Sequence, residues 1–223
     1  MRVNEEELET LSTPMNFFDQ QAEQQLQRQA PLAERMRPDT LSEVFGQPAV
    51  LDGPLYQVLA NKQLLSIILY GPAGTGKTTL ALLLAKVTDS RFEQQSAVDF
   101  STDRIRKLAA SARDELAMHS RRTIVFIDEI HRLNKAQQDS LLPWVENGTF
   151  ILVGATTENP LYVLQPALLS RVAICPLEPL SEEALRAIAL RALEDEQRGL
   201  GKYRAVVDEE AMQDLIRRSG GDA

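Results

Sequence analysis

Short apolar runs of strand length alternate with amphipathic stretches of helical period along most of this chain. Leu64 to Tyr70, Thr123 to Ile127 and Phe150 to Ala155 are nearly unbroken apolar segments rich in Ile, Leu and Val, a pattern that predicts strands covered on both faces. Phe92 to Ala97 is a more modest strand candidate, and Val172 to Pro176 is another. Leu80 to Lys86 reads as a helix, as does Ala136 to Glu146, which is closed by Asn147-Gly148. Ser101 or Thr102 can cap a helix whose Ile105, Leu108, Ala109, Ala112 and Leu116 fall on one face. Strands alternating with helices predict an α/β fold: a parallel sheet with right-handed crossovers and helices on both sides.

The flanks have a different character. Residues 1 to about 30 are polar and glutamine-rich, with little to bury besides Leu11, Phe17 and Phe18, and read as a flexible arm. In Pro31 to Pro38 the second proline blocks helix continuation. Gly46-Gln47-Pro48 then precedes a helical stretch, Ala49 to Ala60. The composition shifts again at Leu177-Glu178-Pro179. Beyond it Leu185, Ile188, Ala189, Ala192 and Leu193 form one helical stripe. Met212, Leu215 and Ile216 form a second, opened by Asp208-Glu209-Glu210, and Gly199 and Gly201 mark the turn between the two. The expected organisation is an arm at 1–30, a main α/β domain at 31–177 and a small helical lid, cut short, at 178–223. No internal repeat is visible.

Composition narrows the class only a little. Of 223 residues, 43% are hydrophobic and 25% charged, as in ordinary globular proteins. The apolar runs are far too short to span a bilayer, and the acidic start lacks the pattern of a signal peptide, so no membrane partner is expected. A single cysteine, Cys175, excludes an internal disulfide and suits a reducing, cytoplasmic setting. The net charge of −8 does not advertise nucleic-acid binding, and the basic clusters Arg104-Arg106-Lys107, Arg121-Arg122 and Arg132 with Lys135 read singly as solvated helix and loop ends.

The chemistry is carried by one loop. Between the Leu64–Tyr70 run and the following helix lies Gly71-Pro72-Ala73-Gly74-Thr75-Gly76-Lys77-Thr78-Thr79, the G-x-x-x-x-G-K-[ST] pattern of a phosphate-binding loop. Its glycines let backbone N–H groups converge on phosphates, and the helix N-terminus adds partial positive charge. Lys77 is expected to reach the β- and γ-phosphates of a nucleoside triphosphate, and the Thr78 hydroxyl to ligate Mg²⁺. Asp128-Glu129 ends the Thr123–Ile127 strand. Carboxyl ends of parallel strands face the ligand crevice, so Asp128 is expected to hold Mg²⁺ through water and Glu129 to orient the water that attacks the γ-phosphate. His131 reads as a polar contact rather than a base, and His119 as a surface residue. A hydroxyl in Gly154-Ala155-Thr156-Thr157-Glu158-Asn159 could serve the γ-phosphate, or the segment could be an ordinary strand-to-loop turn. Arg171, after Ala167-Leu168-Leu169-Ser170, carries no message by itself.

Together these segments resemble the AAA+ ATPases. The chain looks most like the replication-associated recombination ATPase family (RarA), kin of the eukaryotic Werner-helicase-interacting ATPases. Pro31-Leu32-Ala33-Glu34-Arg35-Met36-Arg37-Pro38, Asp128-Glu129-Ile130-His131-Arg132-Leu133-Asn134-Lys135-Ala136-Gln137-Gln138-Asp139 and Gly154-Ala155-Thr156-Thr157-Glu158-Asn159-Pro160 carry the likeness, together with Leu185 through Tyr203. The resemblance implies ATP with Mg²⁺ as cofactors. Arg37-Pro38 and Phe45-Gly46-Gln47 are implied to pack around the adenine. It makes Thr157 the sensor of the γ-phosphate and Arg171 an arginine finger acting in the neighbouring subunit's site, hence a homo-oligomeric ring. It also implies work on single-stranded or forked DNA at stalled replication forks, with replication proteins such as a single-strand-binding protein as partners. Two departures accompany it. Met15-Asn16-Phe17-Phe18 resembles the Met-Asp-Leu-Phe-like segment with which family members often open, which makes Met1 to Pro14 an extra extension or a misassigned start. The chain also stops at Ser219-Gly220-Gly221-Asp222-Ala223, before the family's sensor 2 arginine and C-terminal oligomerisation domain.

Two other readings compete with a DNA-stimulated ATPase. One is a Holliday-junction branch-migration motor, which shares a similar Asp-Glu-Ile-His-Arg-Leu segment but carries a longer insertion where this chain has only Glu146-Asn147-Gly148-Thr149. The other is a clamp-loader-like, nucleotide-gated module without useful turnover.

Overall fold

A computed structural model of the chain describes residues 30–47, 55 and 64–222. The expected arm and the helical stretch Ala49–Ala60 lie outside the described residues, apart from Ala30 and from Leu55, which is fully buried. The chain divides into two compact units. One takes in residues 38–190 and 207–223, the other the residues up to 37 with 191–206.

The larger unit is built on five parallel strands: β1 (Ile67–Tyr70), β2 (Arg91–Ser96), β3 (Thr123–Asp128), β4 (Ile151–Thr156) and β5 (Ala173–Pro176). Their spatial order is β2-β3-β4-β1-β5. Successive side chains along each strand point to opposite faces, so each apolar run feeds two cores. Ile67, Leu69, Ile124 and Phe126 join one, with Leu80, Ala81 and Leu84 of helix α2 (Lys77–Val87; α1 is described below). Ile68, Val125 and Ile127 join the other, with Ile105, Leu108, Ala109 and Ala112 of α3 (Thr102–His119) and Leu141 of α4 (Lys135–Glu146). Burying a Leu, Ile or Val side chain is worth about 1.5–3 kcal/mol, which is why these runs become strands under two layers of helix. The expected α/β sheet is therefore observed. Cys175 is buried on β5, and burial pushes its thiol up to about 11, away from reactivity.

Element ends shift where local chemistry outweighs the apolar pattern. The Leu64–Tyr70 run forms strand only from Ile67, because Leu65 is exposed and the Ser66 hydroxyl accepts the Leu152 N–H at 3.0 Å. Strand β2 lies at the sheet edge, which explains its polar sequence; its Phe92 ring stacks on Phe126 at 5.8 Å. Ser101 caps α3, its hydroxyl accepting the Arg104 N–H. Burial on that helix stops at Ala112, and Leu116 in the last turn is exposed, unlike the stripe expected of it. Asn134 and Gln137 form a capping box on α4. Beyond β4 come two single turns, α5 (Pro160–Val163) and α6 (Pro166–Leu169), each opened by its proline.

Helix α7 (Glu182–Glu194) and helix α8 (Glu209–Ser219) realise the two C-terminal stripes. On α8 Met212 and Ile216, one turn apart, are buried, whereas Leu215 is 57% exposed, so the second stripe is narrower than expected. Arg186 clasps Glu209 through two hydrogen bonds of 2.7 and 2.5 Å.

In the smaller unit, α1 (Leu32–Arg35) is followed by Arg37, whose guanidinium pairs with Glu34 at 2.7 Å. The carboxylate of Asp195 accepts the N–H groups of Gln197 and Arg198, and its backbone carbonyl accepts those of Gly199 and Gly201 in the following turn. The bonds to the carboxylate, with that from Arg198 foremost, set its pKa below the ordinary aspartate value.

Gly46 in the larger unit has φ +69°, and a Cβ there would lie 2.7 Å from the Cβ of Ala184 and 2.9 Å from Leu180. Gly46→Ala is expected to destabilise the fold by roughly 1–3 kcal/mol through left-handed backbone strain plus overlap. Urea unfolding should show a lower midpoint at unchanged slope. An unchanged midpoint would mean that the glycine is not needed for this packing.

Candidate nucleotide-binding and hydrolytic site

Parallel register brings the predicted site residues to one end of the sheet. Tyr70 pairs with Thr156 on one side and Pro176 on the other, and Ser96 pairs with Asp128. Because Ile127 pairs with Gly154, strands β3 and β4 end almost level. The phosphate loop after β1, the Asp128-Glu129 pair after β3 and the Thr156-Thr157 step after β4 therefore stand side by side.

The loop Gly71–Gly76 runs from β1 straight into α2, which begins at Lys77. Gly71 N–H donates to Thr156 O at 3.1 Å, tying the loop to β4. A Cβ on Gly71 would come within 2.5 Å of Leu177 O, so only glycine lets β1 and β5 stay close there. Gly76 is the N-cap of α2 at φ +85°, a left-handed turn that glycine adopts without penalty. Pro72 and Ala73 are exposed at the loop tip, while Thr75 is buried with its hydroxyl on Pro72 O. The Lys77 ammonium is buried and donates to Gly71 O at 2.9 Å and Pro72 O at 2.7 Å, so it curls back over the loop's concave side. Burial lowers its pKa. Asp128 first, then Glu129 and Asp222, oppose that shift, so all three carboxylates lie within electrostatic reach of it. Thr78 and Thr79 are half-buried on the first turn of α2.

Gln47 is 4% exposed and spends its amide on the backbone. Its Nε2 donates to Thr75 O at 3.3 Å and Glu178 O at 2.8 Å, and its Oε1 accepts Glu178 N–H at 3.2 Å. It thereby steadies the phosphate loop. A Cβ on Gly74 would meet Asp222 at 2.3–2.5 Å, placing the segment after α8 directly against the loop. Pro38 begins the larger unit, and Arg37 belongs to the smaller one.

Glu129 sits at φ +52° and ψ +45° and opens a 3-10 turn, Ile130–Arg132. Such a conformation for a glutamate costs about 1 kcal/mol or more and turns the chain sharply away from β3. Ile130 is fully buried over Gly154 and fastens the turn to the sheet. The Glu129 N–H donates to Asp128 Oδ1 at 3.0 Å, and a cleft lined by Gln95, Ser96, Asp128, Glu129 and Arg132 opens beside the two carboxylates.

The strand end β4 divides its two threonines. Thr157 is exposed on the bend that follows, whereas Thr156 is fully buried, with its hydroxyl 3.0 Å from His131 Nδ1. His131 Nε2 lies 3.3 Å from Glu129 and 3.5 Å from Glu158. This link between strand ends was missed in the sequence, where His131 reads only as a polar contact; the Asp-Glu-x-His spacing is the one signal of it. His119 is exposed at the end of α3, as expected. Arg171 follows α6 and bonds Glu146 through Nε at 2.5 Å and also through Nη2, with Nη1 on Ala167 O and Ser170 Oγ. None of these partners belongs to the phosphate loop.

A phosphate loop and an acidic pair on level ends of a β2-β3-β4-β1-β5 parallel sheet define a nucleotide-binding protein of the P-loop class. Residues 67–176 match the model of the ATPase family associated with various cellular activities (AAA). Replication-associated recombination protein A of Escherichia coli (strain K12) is 43% identical over 195 residues, 86% of this chain and 43% of that protein. ATPase WRNIP1 of Dictyostelium discoideum is 44% identical over 87% of this chain and 22% of that protein. The solved structure of the Thermotoga maritima RuvB Holliday junction branch migration motor superposes with a TM-score of 0.68 at 30% identity, covering 84% of this chain and 61% of that one. The chain belongs to the AAA+ ATPases and, within them, to the family of replication-associated recombination protein A. It spans less than half the length of the curated relatives it matches.

Proposed function

We propose that this chain is the ATP-binding and ATP-hydrolysing part of a DNA-stimulated ATPase that serves replication, recombination and repair at stalled forks. The observation that carries the reading is the convergence of Lys77, Asp128 and Glu129 at one end of the sheet, after β1 and β3 on either side of β4, close enough for both carboxylates to act on the lysine's charge. Backbone N–H groups of Gly71–Thr78 with Lys77 take the triphosphate, and Pro38, Gly46 and Gln47 flank the adenine side. The Thr78 hydroxyl and the Asp128 carboxylate are hard oxygen donors of the kind Mg²⁺ takes alongside phosphates and waters, so the residues present fit that ion. Bound there, Mg²⁺ supplies charge neutralisation at the phosphates. Glu129 polarises the attacking water, Thr157 contacts the γ-phosphate and Arg171 reaches a neighbouring subunit's site in a homo-oligomer. The helices from Glu182 onward act as a lid.

Among the described residues no helix is long and apolar enough to cross a membrane; in this reading the protein works in the cytoplasm, at the fork. The partners in this reading are single-stranded or forked DNA and replication proteins such as a single-strand-binding protein. Branch migration finds support in the likeness to RuvB, but that likeness is at 28–30% identity, against 41–44% for the proteins named replication-associated recombination protein A.

Lys77→Ala is the test. It removes the cation seated between the phosphate loop's carbonyls, and ATP affinity measured by calorimetry with Mg²⁺ is expected to fall at least tenfold. Turnover of the unaltered full-length protein is expected to rise when single-stranded or forked DNA is added, and the variant should show no such turnover. Equal affinity in both proteins sinks the site assignment; turnover indifferent to DNA sinks the DNA-stimulated reading.

A further inference from the structure

We infer that His131 is a positioning residue that fixes the Glu129 carboxylate for its work on water, and that it ties Glu129 to the end of β4. The inference rests on the reading of Glu129 as the group that polarises the attacking water.

The imidazole side chain is only 12% exposed, so water does little to satisfy it and its two nitrogens need protein partners. Nδ1 finds the Thr156 hydroxyl at 3.0 Å; Nε2 finds Glu129 at 3.3 Å and Glu158 at 3.5 Å. The proton bookkeeping has one consistent feature. A carboxylate only accepts, so Nε2 must carry hydrogen to meet either one. Thr156 can then donate to a bare Nδ1, or keep its own hydrogen for Glu158 O at 3.2 Å and accept from Nδ1. In both arrangements Nε2–H faces the two carboxylates at ion-pair distance.

Glu129 needs such a donor. Its backbone is fixed by the left-handed turn and by Ile130 over Gly154, but its carboxylate lies at the end of three rotatable bonds and is 37% exposed. Without a partner it would spread over several rotamers, and few of them keep the carboxylate aimed at one water. The polar contact with Nε2–H at 3.3 Å favours one while leaving the carboxylate within electrostatic reach of Lys77. On its other side the ring rests on Thr156, the residue paired with Tyr70 at the root of the phosphate loop and adjacent to Thr157. A single side chain thus links the loop's neighbouring strand to the carboxylate. Glu158, 3.5 Å from the same nitrogen, is a second carboxylate that keeps the Nε2 side of the ring turned towards Glu129.

The test uses the full-length protein. His131→Leu removes both nitrogens and is expected to lower kcat about 10- to 100-fold while leaving ATP affinity unchanged. His131→Gln, whose side-chain N–H can reach the position of Nε2, is expected to recover most of that loss. A second readout needs no change at His131. The sequence has two histidines, so selective labelling gives two imidazole signals, and Glu129→Gln should shift the Nε2 resonance of His131 and not that of His119. Wild-type turnover in His131→Leu, no advantage of Gln over Leu, or a His131 resonance indifferent to Glu129→Gln would each overturn the inference. Full turnover in Glu129→Gln would instead overturn the role given to Glu129. An inactive Glu129→Gln beside a fully active His131→Leu overturns this inference alone.

Discussion

Glu129→Gln in the full-length protein is expected to bind ATP as tightly as the unaltered protein and to hydrolyse it about 10²- to 10⁴-fold more slowly. The amide keeps the size of the side chain and accepts the His131 Nε2–H as the carboxylate does, so the turn at Asp128–Arg132 should hold its shape. What is lost is the negative charge that polarises water. Affinity should not fall, because Glu129 is an anion near the site of a polyphosphate; removing one of the carboxylates that act on Lys77 leaves that cation more fully committed to the phosphates. Single-turnover hydrolysis with calorimetry on the same preparation separates the two effects. Unchanged turnover would remove Glu129 from its role and shift attention to a different group in the cleft beside Asp128.

Arg171→Ala is expected to cost about 10³-fold or more in turnover while leaving ATP binding nearly intact. The guanidinium bonds Glu146, Ala167 and Ser170 of its own chain and none of the phosphate-loop residues, so its loss should not disturb the nucleotide site beside it. Its side chain is partly exposed after the short turn α6, as the proposed action on a neighbouring subunit requires. A planar guanidinium suits the charge that develops on γ-phosphate oxygens, and that charge exists only in the transition state, hence an effect on rate and not on affinity. Mixing decides whether the action is in trans. Arg171→Ala subunits combined with Glu129→Gln subunits should recover part of the activity, at interfaces that join an intact site to an intact arginine. No recovery in verified mixed assemblies would count against action between subunits.

Much of the site is local and therefore legible in the sequence. The phosphate loop is defined by consecutive residues whose glycines and terminal lysine dictate backbone shape and charge, and the apolar runs on either side of it fix strand before and helix after. The same holds for Asp128-Glu129, because a β-branched run must end in the crevice of a parallel sheet. Patterning also found the starts of α3, at Ser101 or Thr102, and of α8, at the acidic Asp208-Glu209-Glu210; in the structure Ser101 and Asp208 are the caps, each side chain meeting an N–H three residues on. It failed at Leu116 and Leu215, since helical period says which positions could share an apolar face but not how far the cover extends.

The tertiary structure alone decided the rest. Nothing in the order of strands along the chain says that β4 inserts between β1 and β3, yet that insertion sets Thr156 beside the phosphate loop and within reach of His131. Gln47 holds Thr75 and Glu178, 28 and 131 residues away, through bonds that no periodicity encodes. Sequence patterns report each residue's preference for water or for a given backbone shape. Which distant groups become partners depends on the packing of whole layers, and the polar network around Glu129 exists only once those layers have closed.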